Sequence, residues 1–142
     1  MNWLLLTYKI PREPTASRVY VWRKLKQLGA ISLQDAVWVL PATPRTQEQF
    51  QWLASEIVEL EGEASIFQSQ MIYASDGESL REQFEAPVRA AYEEILAVLK
   101  RRKPDLASLS KKYQQTKDMD YFQSPLGERV RKKLLSLSGG EP

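Results

Sequence analysis

The first half of this 142-residue chain is cut by proline and glycine into six short segments whose hydrophobic period changes from one to the next, and few folds accept that order. Trp3 to Lys9 is a run of aromatic and aliphatic residues closed by Pro11 and Pro14, the pattern of a buried first strand. From Thr15, the apolar residues Val21, Trp22, Leu25 and Leu28 fall on one face until Gly29, which predicts an amphipathic helix. Ala30 to Leu33 and Val37 to Leu40 predict two short strands around Gln34-Asp35-Ala36, as a hairpin or a bulged strand, with Pro41 ending the second. Thr43-Pro44 offers a cap and a first helical position, and Thr46 with Gln49 offers an alternative capping box. The stripe Phe50, Leu53, Ile57 and Leu60 then runs to Gly62. Ala64 to Tyr73 alternates imperfectly and reads as a strand with one partly wet face.

The order strand, helix, strand, strand, helix, strand predicts an α+β chain with a ferredoxin-like βαββαβ core over residues 1–74, in which two helices cover one face of a four-stranded antiparallel sheet. The other face is left for a second copy or for the remaining helical residues to cover, so a homodimer is expected. Residues 75–142 are expected to form a helical extension packed on that core, within a single domain overall. After a turn at Asp76-Gly77, Leu80, Phe84, Val88, Ala91, Ile95 and Leu99 keep helical spacing, although Pro87 is expected to break or kink the run and Pro104 to end it. Asp105 caps a helix carrying Leu106, Leu109 and Tyr113, and Ser124-Pro125 opens another with Leu126, Val130, Leu134 and Leu137. Ser138 to Pro142 reads as a frayed end.

The chain has no cysteine and no histidine, which excludes zinc fingers, iron–sulfur clusters, haem ligation, thiol redox sensing and histidine-based nucleophilic catalysis. Its start is too briefly apolar for a signal peptide and lacks a basic leader, and no later run is long enough to span a bilayer, so a cytoplasmic, membrane-free protein is expected. The acid pairs Glu59/Glu61 and Asp118/Asp120 join no convergent motif and read as solvated faces. Trp3, Trp22 and Trp38 fall among apolar neighbours and are expected in the core, while Trp52 lies beside its helix stripe as an interface candidate.

Net charge is only +2, but its distribution is uneven. Tyr8 to Lys26 holds six basic residues against one acidic, and Lys100 to Lys133 holds eleven against four. Lys9, Arg12, Arg18 and Arg23 surround a helix start whose free amides favour an anion, and are candidates to bind a phosphate or tetrahedral oxyanion. Lys24, Lys26, Lys100, Arg101, Arg102, Lys103, Lys111, Lys112, Arg129, Arg131, Lys132 and Lys133 are candidates to neutralise nucleic-acid phosphates. Helix C-termini also gather cations for dipole reasons, so the same residues fit a plain solvated face. No helix-turn-helix spacing stands out.

WLLLTYKIPREPTASRVYVWRKLKQLGAISLQDAVWVLPATPRTQEQFQWL (Trp3 to Leu53) resembles the N-terminal domain of the ChrB chromate-resistance family, and DYFQSPLGERVR (Asp120 to Arg131) resembles that domain's closing segment. The resemblance implies a chromate-responsive transcriptional regulator, with DNA and chromate or a similar oxyanion as partners and no cofactor. It also implies kinship with the middle region of PaaX-type repressors and with the CRISPR-associated small endoribonucleases, in which an aspartate ending the first strand supports a metal. Here that strand ends Thr7-Tyr8-Lys9, so the chain is read as non-enzymatic, with no catalytic or metal residue nominated. Full-length members carry a second, C-terminal domain, and the resemblance does not say which domain senses or binds DNA. The competing expectation is a protein-interaction module, built on the sheet face and the tryptophans, without DNA affinity of its own.

Overall fold

The computed structural model describes residues 1–74 and 79–139. The chain divides into two compact units, Met1–Gly77 and Glu78–Pro142. The expected turn at Asp76-Gly77 and the last residues of the frayed end lie outside the described residues.

In the first unit the elements run β1 (Trp3–Lys9), α1 (Thr15–Gln27), β2 (Ile31–Gln34), β3 (Val37–Pro41), α2 (Pro44–Glu59) and β4 (Glu63–Ser69). The strands form one sheet in the order β2-β3-β1-β4, every neighbouring pair antiparallel, which is the ferredoxin-like arrangement. Leu4 pairs with Leu40 and Leu6 with Trp38, so these four side chains share a sheet face. All four are buried, together with Val21 and Leu25 of α1 and Phe50, Leu53 and Ile57 of α2. Trp3, Leu5, Val39 and Phe67 lie on the opposite face; Trp3 and Val39 are buried there, while Phe67 is half exposed.

Local chemistry explains the boundaries. Thr43 caps α2: its Oγ1 accepts from the Thr46 amide at 3.0 Å, the Thr46 Oγ1 accepts from the Thr43 amide at 2.9 Å, and Pro44 takes the first helical position. The Thr46 hydroxyl also donates to the Pro41 carbonyl at 2.6 Å, fastening the helix start to the end of β3. β2 and β3 form the expected hairpin, with a register shift between Ser32 and Gln34. β4 ends at Ser69, short of the Tyr73 expected from alternation, because Ser69 pairs with Trp3, where β1 begins. Past that point the ladder has no strand to pair with, and Ile72 and Tyr73 stand exposed. Trp22 is a further correction: it is 50% exposed, not core. The buried residues of α1 are Ser17, Val21 and Leu25, a narrow stripe at spacing four, and Trp22 sits about 100° round from it.

The second unit consists of α3 (Leu80–Leu99), α4 (Leu106–Asp118) and α5 (Pro125–Leu137). Pro87 does not break α3. It lies on the exposed side, where water can satisfy the carbonyl that loses its helical partner, while Phe84, Val88, Tyr92, Ile95 and Leu99 hold the inner face. Val88, Tyr92, Ile95, Leu99, Leu109, Val130 and Leu134 make up the core. Asp105 and Ser124 cap α4 and α5 as expected. Asp120, expected on a solvated face, instead accepts the Tyr92 hydroxyl at 3.0 Å and the Ser124 amide at 3.0 Å. A carboxylate in the α4–α5 loop thereby ties α3 to the start of α5.

A Cβ at Gly62 would sit 2.4 Å from the Lys9 carbonyl oxygen and 2.8 Å from Ile57 Cγ2, so Gly62→Ala is expected to cost about 1–3 kcal/mol or more in urea unfolding. In the second unit, burial and the bond to Asp120 hold the Tyr92 hydroxyl well above its usual value near 10. The folded state therefore binds this proton more tightly than the unfolded state. The resulting stability is fully present below about pH 10 and is lost as pH rises beyond it. Tyr92→Phe is expected to cost about 1–2 kcal/mol at neutral pH and to flatten the alkaline loss of stability measured by urea melts between pH 8 and 11.

Candidate anion-binding site

At its C-terminal end, past its pairing with β3 but still paired with β4, β1 brings Tyr8 and Lys9, followed by Ile10, to the mouth of a cleft of about 1010 Å³. The β1–α1 connection adds Arg12, α1 adds Thr15, Arg18, Val19, Trp22 and Lys26, and the hairpin side adds Ser32, Asp35, Ala36 and Trp38. Arg18, Trp22 and Lys26 recur every four residues, so one row of the helix presents cation, indole, cation. The Lys26 ammonium lies 5.6 Å from the centre of the Trp22 ring. Pro14 gives α1 no side-chain cap and the first turn carries no acid, which leaves the positive end of the helix dipole locally uncompensated at the cleft.

Tyr8 and Trp38 form the inner wall. The nearby Trp38 indole and the Arg18 charge both favour the phenolate, but burial outweighs them and raises the Tyr8 hydroxyl above its usual value. The phenol thus stays protonated and able to donate to an anion at neutral pH. Lys9, Arg12, Arg18 and Lys26 make no ion pair with another described residue. Asp35 is the single carboxylate among the lining residues.

Of the four oxyanion candidates, Lys9, Arg12 and Arg18 are brought together here, and Arg23 is not among the lining residues. Lys26, a nucleic-acid-contact candidate from sequence, lines the cleft as well. Its four-residue step from Trp22 and eight from Arg18 is the signal that separates it from Arg23. Lys24 lies with its ammonium 5.6 Å from the Tyr20 ring centre.

The basic residues of the second unit gather less tightly. Lys100, Arg129, Lys132 and Lys133 border a groove of about 750 Å³ between α3 and α5, with Leu96, Ala97 and Leu126 in its wall and Glu93 at its edge. Arg101, Arg102 and Lys103 are exposed in the turn after α3, and Lys111 is exposed on α4. Lys112 borders a separate depression between α3 and α4. Arg131 is committed to Glu128, which it meets with Nε at 3.0 Å, an exposed pair that holds the Glu128 carboxyl below its usual value. Among the described residues no group of three or more histidine, cysteine, aspartate or glutamate side chains is placed to hold a metal, and no helix is long and apolar enough to cross a membrane.

The family model described as "Protein ChrB, N-terminal" matches residues 18–121. The chain belongs to the ChrB N-terminal family. Protein ChrB of Cupriavidus metallidurans (strain ATCC 43123 / DSM 2839 / NBRC 102507 / CH34) is similar to it, 32% identical over 91 residues. The alignment covers 64% of this chain and 26% of that protein, so the chain spans about a quarter of the relative's length. No solved structure matches. The family match starts at residue 18 and therefore takes in Arg18, Trp22 and Lys26 of the cleft but not Lys9 or Arg12.

Ion-selective quenching checks the electrostatics of the cleft. In a Trp52→Phe background, Trp22 is the remaining exposed indole, since Trp3 and Trp38 are buried. Iodide is expected to quench it severalfold better than caesium, and Arg18→Ala with Lys26→Ala to bring the two close to parity. Equal quenching in the parent would mean that the four cations create no anion-attracting field at Trp22.

Proposed function

We propose that this ChrB-family chain is a non-enzymatic regulatory domain of chromate resistance that binds nucleic-acid phosphates through the β1–α1 cleft, with the α3–α5 groove as a second basic surface. The observation that carries the reading is the convergence of Lys9, Arg12, Arg18 and Lys26, from three segments of the chain, on one cleft at an uncapped helix start. Gathering like charges without carboxylate partners costs stability, and an anionic partner offsets that cost. Chromate, a dianionic tetrahedral oxyanion, would compete for the same guanidinium groups without any thiol chemistry. A second copy would pair at the β4 side of this sheet, where Phe67 stands half exposed, since Trp3 and Val39 on the same face are already buried.

Fluorescence anisotropy of a duplex fragment from upstream of the gene, over a salt series with chromate or sulfate added, tests this. Binding is expected to weaken steeply with salt, and Arg12→Ala with Arg18→Ala to lower the slope of log K against log salt by about 2, at roughly 0.9 for each phosphate no longer neutralised. Release by chromate and not by sulfate would assign sensing to this chain; indifference to both would leave a DNA-binding domain alone. Absence of salt-sensitive binding would sink the proposal. It would favour an interaction module instead, for which the exposed Trp52 and Val58 of α2 are the supporting observation.

A further inference from the structure

The cleft is far larger than a tetrahedral oxyanion requires. At about 1010 Å³ it is at the upper end of the roughly 300–1,000 Å³ range of small-molecule sites, and phosphate contacts alone leave most of it unused. Its composition is divided in the same way. Arg12 and Arg18 supply charge near the uncapped start of α1, whereas Trp22, half exposed, stands between Arg18 and Lys26 in the helix row with the Lys26 ammonium over one side of its ring. A half-exposed tryptophan beside cations, in a cleft also walled by Trp38, is a platform for a flat ring attached to an anion. The Asp35 carboxylate among the lining residues can accept a hydrogen bond, which a fully deprotonated oxyanion cannot donate and the amino group of a nucleobase can.

We infer that the cleft is a nucleoside-phosphate site: the base stacks on Trp22 and the phosphate lies against Arg12, Arg18 and the first turn of α1. This deepens the reading proposed above, on which it rests for the phosphate contacts, by naming the second part of the ligand. The unit recognised is one nucleotide, whether free or exposed at an unpaired strand end.

Calorimetric titration of the full chain with adenosine monophosphate, ribose 5-phosphate and adenosine tests it. Adenosine monophosphate is expected to bind about tenfold tighter than either half, within the span that base–aromatic stacking supplies. Trp22→Leu should abolish that advantage and leave ribose 5-phosphate binding unchanged, while Trp22→Phe should keep most of it; far-ultraviolet circular dichroism verifies that both variants fold. Equal affinity for adenosine monophosphate and ribose 5-phosphate overturns the inference, as does an advantage that survives Trp22→Leu. A 5′-phosphorylated oligo-deoxyadenosine resolves the source: Trp22-dependent binding tighter than the mononucleotide's assigns the site to a strand, and binding no tighter assigns it to a free nucleotide. Salt-sensitive duplex binding without nucleotide binding sinks the inference and leaves the proposed function standing. Nucleotide binding without duplex binding does the reverse.

Discussion

Strand β1 is paired along both edges, to β3 on one side and β4 on the other, and the first unit is organised around that fact. Leu4 and Leu6 on its inner face are almost wholly buried, each contributing about 1.5–3 kcal/mol through removal from water. A one-residue slip against either neighbour would turn both leucines to the opposite face, so register and core composition enforce each other. The same strand sets the course of the chain beyond its last leucine. With Leu4 and Leu6 held inward, Tyr8 emerges on the same face and is left to meet Trp38 and α1, while Lys9 passes its carbonyl against the Gly62 turn. The position of the basic cleft is thus a consequence of the central strand's register.

Much of the fold is legible in the sequence, because the boundaries are set by residues that act locally. The span Trp3–Lys9 is readable from its composition and the prolines after it, and the start of α2 from Thr43-Pro44, since caps and proline constraints need no distant partner. Features that escape the sequence depend on where neighbours stop. The alternation in Ala64 to Tyr73 carries on past Ser69, but a strand lasts only as long as its ladder. Trp22 resembles core by hydrophobicity, although the stripe that is buried is Ser17, Val21 and Leu25, with a serine in it. Asp120 gives no local hint of its role, since its partner Tyr92 is 28 residues away. Pro87 weighs less than its residue type suggests: an exposed proline on a helix whose other face is well packed does not have to break it.

The site shows the same division. Three of the four oxyanion candidates converge, because Lys9, Arg12 and Arg18 flank the strand-to-helix connection and nearness in sequence becomes nearness in space. Arg23 and Lys26 are distinguishable only by helical phase, and the apolar neighbours of Trp22 mask its place in the cleft. The ChrB family relationship states what kind of chain this is, and the geometry adds a basic cleft that could hold an anion. Cations left without carboxylate partners, an indole placed between two of them and an uncapped helix start belong together as one electrostatic feature, which folding alone does not require.

Nitrogen-15 correlated nuclear magnetic resonance, following a short DNA duplex titrated into the chain at low salt, tests whether this cleft is the anion-binding surface. The backbone amides of the non-proline residues from Lys9 to Arg18 and the indole N–H signals of Trp22 and Trp38 are expected to shift together along one binding curve, while the indole signal of Trp52 on α2 stays in place. Unmoved cleft signals, with shifts confined to Trp52 and its neighbours on α2, would contradict it.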